Sequence, residues 1–142
     1  MEINFKYNVG QEVYFLNKRN EERRLMKSWT FRMMARLMDE TEMTRSEALK
    51  QAQLVRELLE ALGQGEVLFQ YERADGQLRE AEGTLRHGLS EQFDSYEYKT
   101  DSTERYRADD LNFTYWDLER NAFRTFSAAR IRRIVRVVIK NR

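Results

Sequence analysis

Cationic side chains concentrate at the C-terminal end of the chain. Positions 123 to 142 contain seven lysine or arginine residues and no acidic residue. A guanidinium group presents a planar set of N–H donors that matches the oxygens of a phosphate or carboxylate. The segment from 91 to 119 has the opposite balance, with nine acidic and three basic residues. This asymmetry predicts an anionic partner at one face, or an acidic segment that folds over the basic one.

Aromatic residues, namely Tyr115, Trp116, Phe123 and Phe126, lie close to these cations in sequence. Cationic side chains and stacked rings together bind single-stranded nucleic acid, and each stacked base contributes about 1–3 kcal/mol. The alternative is that the rings belong to the core and that the arginines form its solvated reverse side. The residue types alone leave both interpretations open.

Side chains that could support catalysis are sparse. His87 is the single histidine and lies in the polar segment "RHGLS", where a surface residue is the simpler interpretation. The sequence has no nucleophile elbow, no glycine-rich phosphate loop and no metal-ligand spacing. The adjacent carboxylates of Asp109 and Asp110 would point to opposite faces of a strand. We therefore expect a non-enzymatic protein with no catalytic residue, no metal site and no cofactor.

Length and composition predict one domain over residues 1–142, with a helical portion over 1–64 and a strand portion over 65–142. The sequence contains no cysteine and no proline, and 35% of its residues are charged. It has no apolar run long enough for a membrane span, and the N-terminus lacks the basic start and apolar core of a secretion signal. We expect a cytoplasmic protein with no membrane contact.

Hydrophobic periodicity predicts a short N-terminal strand over 9–17 and then an antiparallel helix pair. The first helix extends to about Asp39 and carries a Trp/Met stripe that includes Trp29 and Met33. A core role is the simpler interpretation of this stripe, although methionine-rich faces also bind protein partners. The second helix begins with Thr44 and Glu47 at capping-box spacing.

After residue 65 the period changes from helical spacing to two. The stretch "VLFQYERADGQLREAEGTL", residues 67–85, alternates around Asp75 and Gly76 and predicts a tight hairpin. Residues 86–109 are polar and predict a long surface excursion. A second hairpin follows, and "IRRIVRVVIKNR" favours a final strand because it is rich in β-branched residues. About five short antiparallel strands bury one face by curling into a small barrel, so the predicted fold class is α+β.

The last strand would carry its arginines on defined faces. In a regular strand, Arg132 and Arg136 share one face with Lys140 and Arg142, and Arg133 lies opposite. That arrangement is typical of a stripe that contacts phosphates.

Two family resemblances rest on these motifs. "RTFSAARI", residues 124–131, resembles the late motif of WYL domains, which are ligand-sensing modules of bacterial regulators with an SH3-like barrel. "TYWDL" lies where that family has its aromatic strand, without the Trp-Tyr-Leu triplet itself. Arg79 occupies the position of the family's early arginine, and Thr84 stands where a proline is expected. Residues 44–127 are also similar to uncharacterised bacterial and phage proteins that contain an SH3 β-barrel fold.

The resemblance implies an SH3-like barrel of about five strands with the helix pair packed on it. We expect an accessory or regulatory protein that binds single-stranded nucleic acid or a nucleotide. The expected ligand-binding residues are Arg79, Arg124, Arg130, Arg132 and Arg136. The alternative hypothesis is a protein-interaction module of a phage or mobile element, with a protein partner on the Trp/Met helix.

Overall fold

The computed structural model of the protein describes residues 29–95 and 111–139. The strand predicted over 9–17, the start of the first helix, and Lys140 and Arg142 lie outside these residues. The described part of α1 covers residues 29–40. The other elements are α2 (Arg45–Gln64), β1 (Gly65–Glu72), β2 (Leu78–Thr84), α3 (Glu91–Asp94), β3 (Asn112–Asp117), β4 (Ala122–Ser127), a 3-10 turn (Ala128–Arg130) and β5 (Ile131–Ile139).

The predicted capping box begins α2. The backbone N–H of Glu47 donates to Thr44 Oγ1 at 3.2 Å, and Glu47 Oε1 accepts from the backbone N–H of Thr44 at 2.9 Å. These two bonds satisfy N–H groups that the first helical turn leaves without partners. The hydrogen bonds to the Thr44 backbone and hydroxyl also lower the pKa of Glu47. The helix ends at Gln64, and Gly65 is its C-cap.

The Trp/Met stripe of α1 faces the core. Met33 and Leu37 are fully buried and Met34 is nearly so. The guanidinium of Arg56, in the second half of α2, lies 5.8 Å from the ring centre of Trp29. The start of the described part of α1 therefore lies beside the second half of α2, as in an antiparallel pair. Among the described residues, no helix is long and apolar enough to cross a bilayer.

The five strands form one antiparallel sheet in the order β4-β3-β2-β1-β5. In a flat sheet, strands β4 and β5 would lie about 19 Å apart. The chain passes from the end of β4 to the start of β5 through three residues of 3-10 turn, and the four Cα steps involved reach at most roughly 14 Å. The sheet must therefore curl and bring its two edges toward each other. The α+β class is confirmed, with a barrel-like sheet that is not closed.

Both predicted hairpins are present. Gly76 has a φ of 87° and its N–H donates to the carbonyl oxygen of Arg73 at 2.9 Å. Positive φ is accessible to glycine without steric cost, which explains its place in this turn. The second hairpin reverses over residues 118–121, where Asn121 takes the left-handed conformation with a φ of 51°.

The final strand departs from the regular alternation that the sequence predicts. The register of β5 against β1 shifts twice, between Leu68 and Phe69 and between Gln70 and Tyr71. Leu68 and Gln70 share one face of β1, and they pair with Arg136 and Arg133. The prediction that Arg133 lies opposite Arg136 is therefore wrong. Each bulge adds one residue to β5 and reverses the face on which later residues fall.

The first, described part of the predicted surface excursion, residues 86–95, lies at the surface except for one residue that is anchored in the core. Ser90 Oγ caps α3 by accepting from the N–H of Phe93. Phe93 is fully buried, and its ring centre lies 5.7 Å from that of Trp116. The sequence gives no clear signal for this anchor, because the aromatic residues of the polar segment 86–109 follow no period.

Candidate functional site

A cavity of about 440 Å³ opens between the β1–β2 turn, the end of β4 and the 3-10 turn. Four arginines, contributed by different parts of the sheet, contact it. We call this cavity the arginine pocket. Its lining residues are Tyr71, Glu72, Arg73, Ala74, Arg79, Asn112, Arg124, Thr125, Phe126, Ser127 and Arg130.

Strand pairing places two of these arginines on the inner face of the sheet. Arg79 on β2 pairs with Tyr71 on β1, and Arg124 on β4 pairs with Tyr115 on β3. Both tyrosines are buried in the core. The two arginines therefore lie on the core-facing side of their strands, at the point where the core gives way to solvent. Three of the five residues predicted from the sequence meet here, the third being Arg130.

Arg79 is held by a buried carboxylate. Its Nη2 lies 3.5 Å from Asp117 Oδ2, and the side chain of Asp117 is 0% exposed. Asp117 Oδ1 also accepts from the backbone N–H groups of Glu119 and Arg120, at 3.0 and 3.1 Å. Arg120 Nη1 lies 3.3 Å from Asp117 Oδ2. Asp117 thus orders the β3–β4 turn and fixes Arg79, whose charge it partly balances.

Arg124 has a different electrostatic status. Its side chain is exposed, and it forms no ion pair or hydrogen bond with another residue in the part of the chain that the structure describes. The other residues of β3 and β4 that line the pocket, including Asn112 and Thr125, carry no charge. The positive charge of Arg124 is therefore available to a ligand.

Arg130 connects two turns at the rim of the pocket. Its Nη1 donates to the carbonyl oxygen of Arg73 at 2.9 Å. That acceptor is neutral, so the charge of Arg130 has no acidic partner among residues 29–95 and 111–139. The 3-10 turn that carries Arg130 is held by Gln51 of α2, whose Nε2 donates to the carbonyl oxygens of Ala128 and Ile131 at 2.8 and 2.9 Å.

The other two predicted residues lie outside the pocket. Arg132 forms an ion pair with Glu72, and Arg136 lies 3.9 Å from Glu82. Their neighbour Arg133 donates from Nε to Gln70 Oε1 at 3.1 Å. The structure therefore divides the predicted site. We call Arg132, Arg133 and Arg136 the β5 arginines.

The aromatic residues near the arginines belong to the core. Tyr115, Trp116 and Phe126 are each at most 1% exposed, and Phe123 is half-buried. Phe126 packs edge-on against Phe69, with 5.8 Å between ring centres. Rings in this state present little face on which a base could stack. The core interpretation of these residues is confirmed.

A pair of tyrosine hydroxyls lies beneath the pocket. Tyr71 Oη and Tyr115 Oη are 2.9 Å apart. Burial, and then the hydrogen bond to Tyr71, raise the pKa of Tyr115 well above its usual range, so this hydroxyl stays protonated. Gly83 makes room for the arrangement, because a Cβ at that position would lie 2.5 Å from Tyr115 Cδ2.

Arg73 and His87 also carry side chains that could take part in chemistry. Arg73 lines the pocket and was missed by sequence reasoning, although its place in the hairpin turn beside Arg79 was a usable signal. His87 Nδ1 lies 3.0 Å from Asp94 Oδ1, and its ring stacks on Phe93 away from the pocket. No group of metal-ligating side chains is found among the described residues.

The curled five-strand sheet, the supporting helix α2 and the pocket at its open end define a small Sm-like or SH3-like barrel protein. The model of the family described as "WYL_2, Sm-like SH3 beta-barrel fold" matches residues 55–132, more than half of the chain, and the protein belongs to this family. The matched range includes every residue of the arginine pocket. Neither a curated protein nor a solved structure matches the chain significantly.

Proposed function

We propose that this protein is a non-enzymatic, cytoplasmic accessory or regulatory protein that binds a phosphate-bearing ligand, either single-stranded nucleic acid or a nucleotide. The arginine pocket is the binding site, and Arg79, Arg124 and Arg130 are its ligand-binding residues. The observation that carries the proposal is that three separate elements direct guanidinium groups into one cavity. Guanidinium groups form strong, charge-assisted hydrogen bonds to phosphate oxygens.

Charge and size support this ligand class. Among the residues that the structure describes, Glu72 is the only acidic one that lines the pocket, and Arg132 already balances it. A cavity of about 440 Å³ falls within the roughly 300–1,000 Å³ typical of small-molecule sites. Because the nearby rings are buried, recognition would depend on phosphate oxygens rather than on base stacking. This differs from the stacking mode that the aromatic residues suggest in the sequence.

Arg132 and Arg136 have a smaller role in this proposal. Their side chains are exposed and have acidic neighbours, so an approaching phosphate must compete with carboxylates already in place. Exposed ion pairs contribute only about 0–1 kcal/mol, and a ligand can displace them. We propose that the β5 arginines raise the local positive potential without forming the primary site.

A titration with a fluorescently labelled single-stranded oligonucleotide, followed by anisotropy at two salt concentrations, tests the proposal. We expect binding at low salt that weakens as salt rises, because ions are released when phosphates are neutralised. Arg124→Gln should reduce affinity about tenfold, since a hydrogen bond between charged groups contributes about 1.5–3 kcal/mol. Arg133→Gln removes an exposed guanidinium outside the pocket and is the matched control. Equal affinity of the two variants, or binding that salt does not change, would contradict the proposal.

A second candidate function is a protein-interaction module of a phage or mobile element. It is favoured by the edge strand β5, on which Val135, Val137 and Ile139 are at least 40% exposed. Among the described residues β5 pairs only with β1. Phe31 and Met38 of α1 are also exposed. Light scattering over a range of concentrations checks self-association through these surfaces, and a constant monomer mass would remove that form of the hypothesis.

A further inference from the structure

The two unbalanced charges of the pocket specify the charge of its ligand. Of the four lining arginines, Arg79 is paired with Asp117, and Arg73 lies 3.7 Å from Asp75. Arg124 and Arg130 have no acidic partner in the described part of the chain. The pocket therefore presents two uncompensated positive charges on a surface that the core supports from below.

A terminal phosphate matches this arrangement better than an internal one. A phosphomonoester carries about −1.5 to −2 charges at pH 7 and has three acceptor oxygens, because its second pKa is about 6. An internal phosphodiester carries a single charge and has two free oxygens. Two guanidinium groups would leave a net positive charge around a diester, whereas they neutralise a monoester dianion.

The hydroxyl pair supplies a further donor. Tyr71 and Tyr115 each have one hydroxyl proton, and the single bond between them uses one proton. Neither hydroxyl has another partner among the described residues. Tyr115 is fully buried, whereas Tyr71 is 5% exposed and lines the pocket. If Tyr115 donates to Tyr71, the proton of Tyr71 is free to meet an acceptor in the cavity.

The pocket is also bridged at one side. The bond from Arg130 to the carbonyl oxygen of Arg73 links the 3-10 turn to the β1–β2 turn. A nucleic-acid strand that passes between these two turns would have to break this bond, whereas the end of a ligand would not have to pass between them. The bridge therefore favours a ligand that ends in the pocket.

We propose that the arginine pocket recognises the terminal phosphomonoester of a nucleotide or an oligonucleotide end, with Arg124 and Arg130 balancing the dianion and the Tyr71 hydroxyl donating to one of its oxygens. This inference rests on the proposed function, which requires only that phosphate-bearing ligands bind in the pocket. It adds that the end of the ligand is distinguished from its interior.

The test compares two labelled oligonucleotides that carry the same number of phosphate groups. One has a terminal phosphate at either the 5′ or the 3′ end, and the other has hydroxyl ends and one additional nucleotide. We expect at least one phosphorylated form to bind about tenfold more tightly, which corresponds to one extra charged hydrogen bond. A competition experiment with a nucleoside monophosphate separates a free nucleotide from an oligonucleotide end as the source of the terminal phosphate. If the pocket recognises the terminal phosphate alone, the monophosphate displaces the labelled probe at low concentration.

The pH dependence gives an independent signature. As the pH falls through about 6, a phosphomonoester gains a proton and loses one charge, so its affinity should fall toward that of the hydroxyl-ended probe. The charged groups that line the pocket are Arg73, Arg79, Arg124, Arg130 and Glu72, and Asp117 pairs with Arg79. Protonation of the two carboxylates would strengthen anion binding, so the expected loss has the opposite sign and originates in the ligand.

Tyr71→Phe provides the matched variant, because it removes the hydroxyl and keeps the ring. We expect it to weaken binding of the phosphorylated probe more than binding of the hydroxyl-ended probe, so that the preference for the terminal phosphate falls. If both probes bind equally tightly and Arg124→Gln weakens the binding of both, this inference is wrong and the proposed function stands. Binding that ignores Arg124→Gln, or no binding of either probe, would overturn both.

Discussion

Arg124 and Arg130 of the arginine pocket are close in sequence to the β5 arginines, yet the two sets of arginines have different surroundings. In the pocket, Arg124 and Arg130 lack acidic partners among the described residues and line one cavity with the buried Tyr71 and Phe126. On β5, Arg132 and Arg136 lie beside Glu72 and Glu82. A cation is a candidate binding group when the fold leaves its charge unbalanced in a concave place. A cation whose charge is balanced on an exposed strand mainly contributes to solubility and potential.

We expect the largest effect when the carboxylate that holds Arg79 in the pocket is removed. Asp117→Ala should lower the free energy of unfolding by about 3–5 kcal/mol, because it leaves Arg79 partly buried without its partner. It also removes the acceptor for two backbone N–H groups of the β3–β4 turn. Urea unfolding measures the effect.

Glu82→Ala is the matched control for that change, since Glu82 is the carboxylate that faces a β5 arginine at 3.9 Å. We expect it to cost only about 0–1 kcal/mol. Similar costs for the two substitutions would mean that the acidic partners in the two regions are equivalent, and the contrast between the regions would fail.

A second prediction compares the two sets of cations directly. The double change Arg124→Gln with Arg130→Gln should reduce oligonucleotide affinity about a hundredfold, since each lost charged hydrogen bond costs about 1.5 kcal/mol or more. Arg132→Gln with Arg136→Gln should reduce it only about two- to threefold, through the weaker potential. Anisotropy titration gives both values, and thermal melting shows whether either double variant is destabilised.

Stability and affinity then assign a role to each set. Within residues 29–95 and 111–139, the pocket double variant loses only the bond from Arg130 to the Arg73 carbonyl oxygen, so we expect a stability cost of about 1 kcal/mol. A large loss of stability with unchanged affinity would make Arg124 and Arg130 structural residues. The proposed site would then be wrong.

The third and smallest prediction concerns the turn that bounds the pocket. Gly76→Val should cost about 1–2 kcal/mol through backbone strain, because Gly76 has a positive φ. A Cβ at this position would meet nothing within 4 Å, so no steric clash adds to the strain. A melting temperature identical to that of the parent protein would contradict the role of this φ. Ligand affinity should change little, because residues 73 and 74, and not Gly76, contact the pocket.

Local features of the fold were predictable because short-range physics decides them. The capping box needs only Thr44 and Glu47 at the correct spacing, and the hairpin needs only Asp75 and Gly76 between alternating residues. The location of Arg79 and Arg124 on core-facing positions also follows once strands are paired. The anchoring of Phe93 in the core was not predictable, because its burial depends on Trp116 and Phe123 in a distant hairpin.

The sequence by itself determined that the protein has helices followed by antiparallel strands, that its aromatic residues suit a core, and that its C-terminal part is cationic. Periodicity and turn chemistry depend on residues that are close in sequence, so each segment by itself indicates whether it forms a helix, a strand or a turn. Only the tertiary structure decided which cations remain available. The pairs that settle this question, Arg79 with Asp117 and Arg130 with the Arg73 carbonyl, join residues 38 and 57 positions apart. The two bulges of β5 then set the faces of its arginines, because each additional residue reverses the alternation that the sequence predicts.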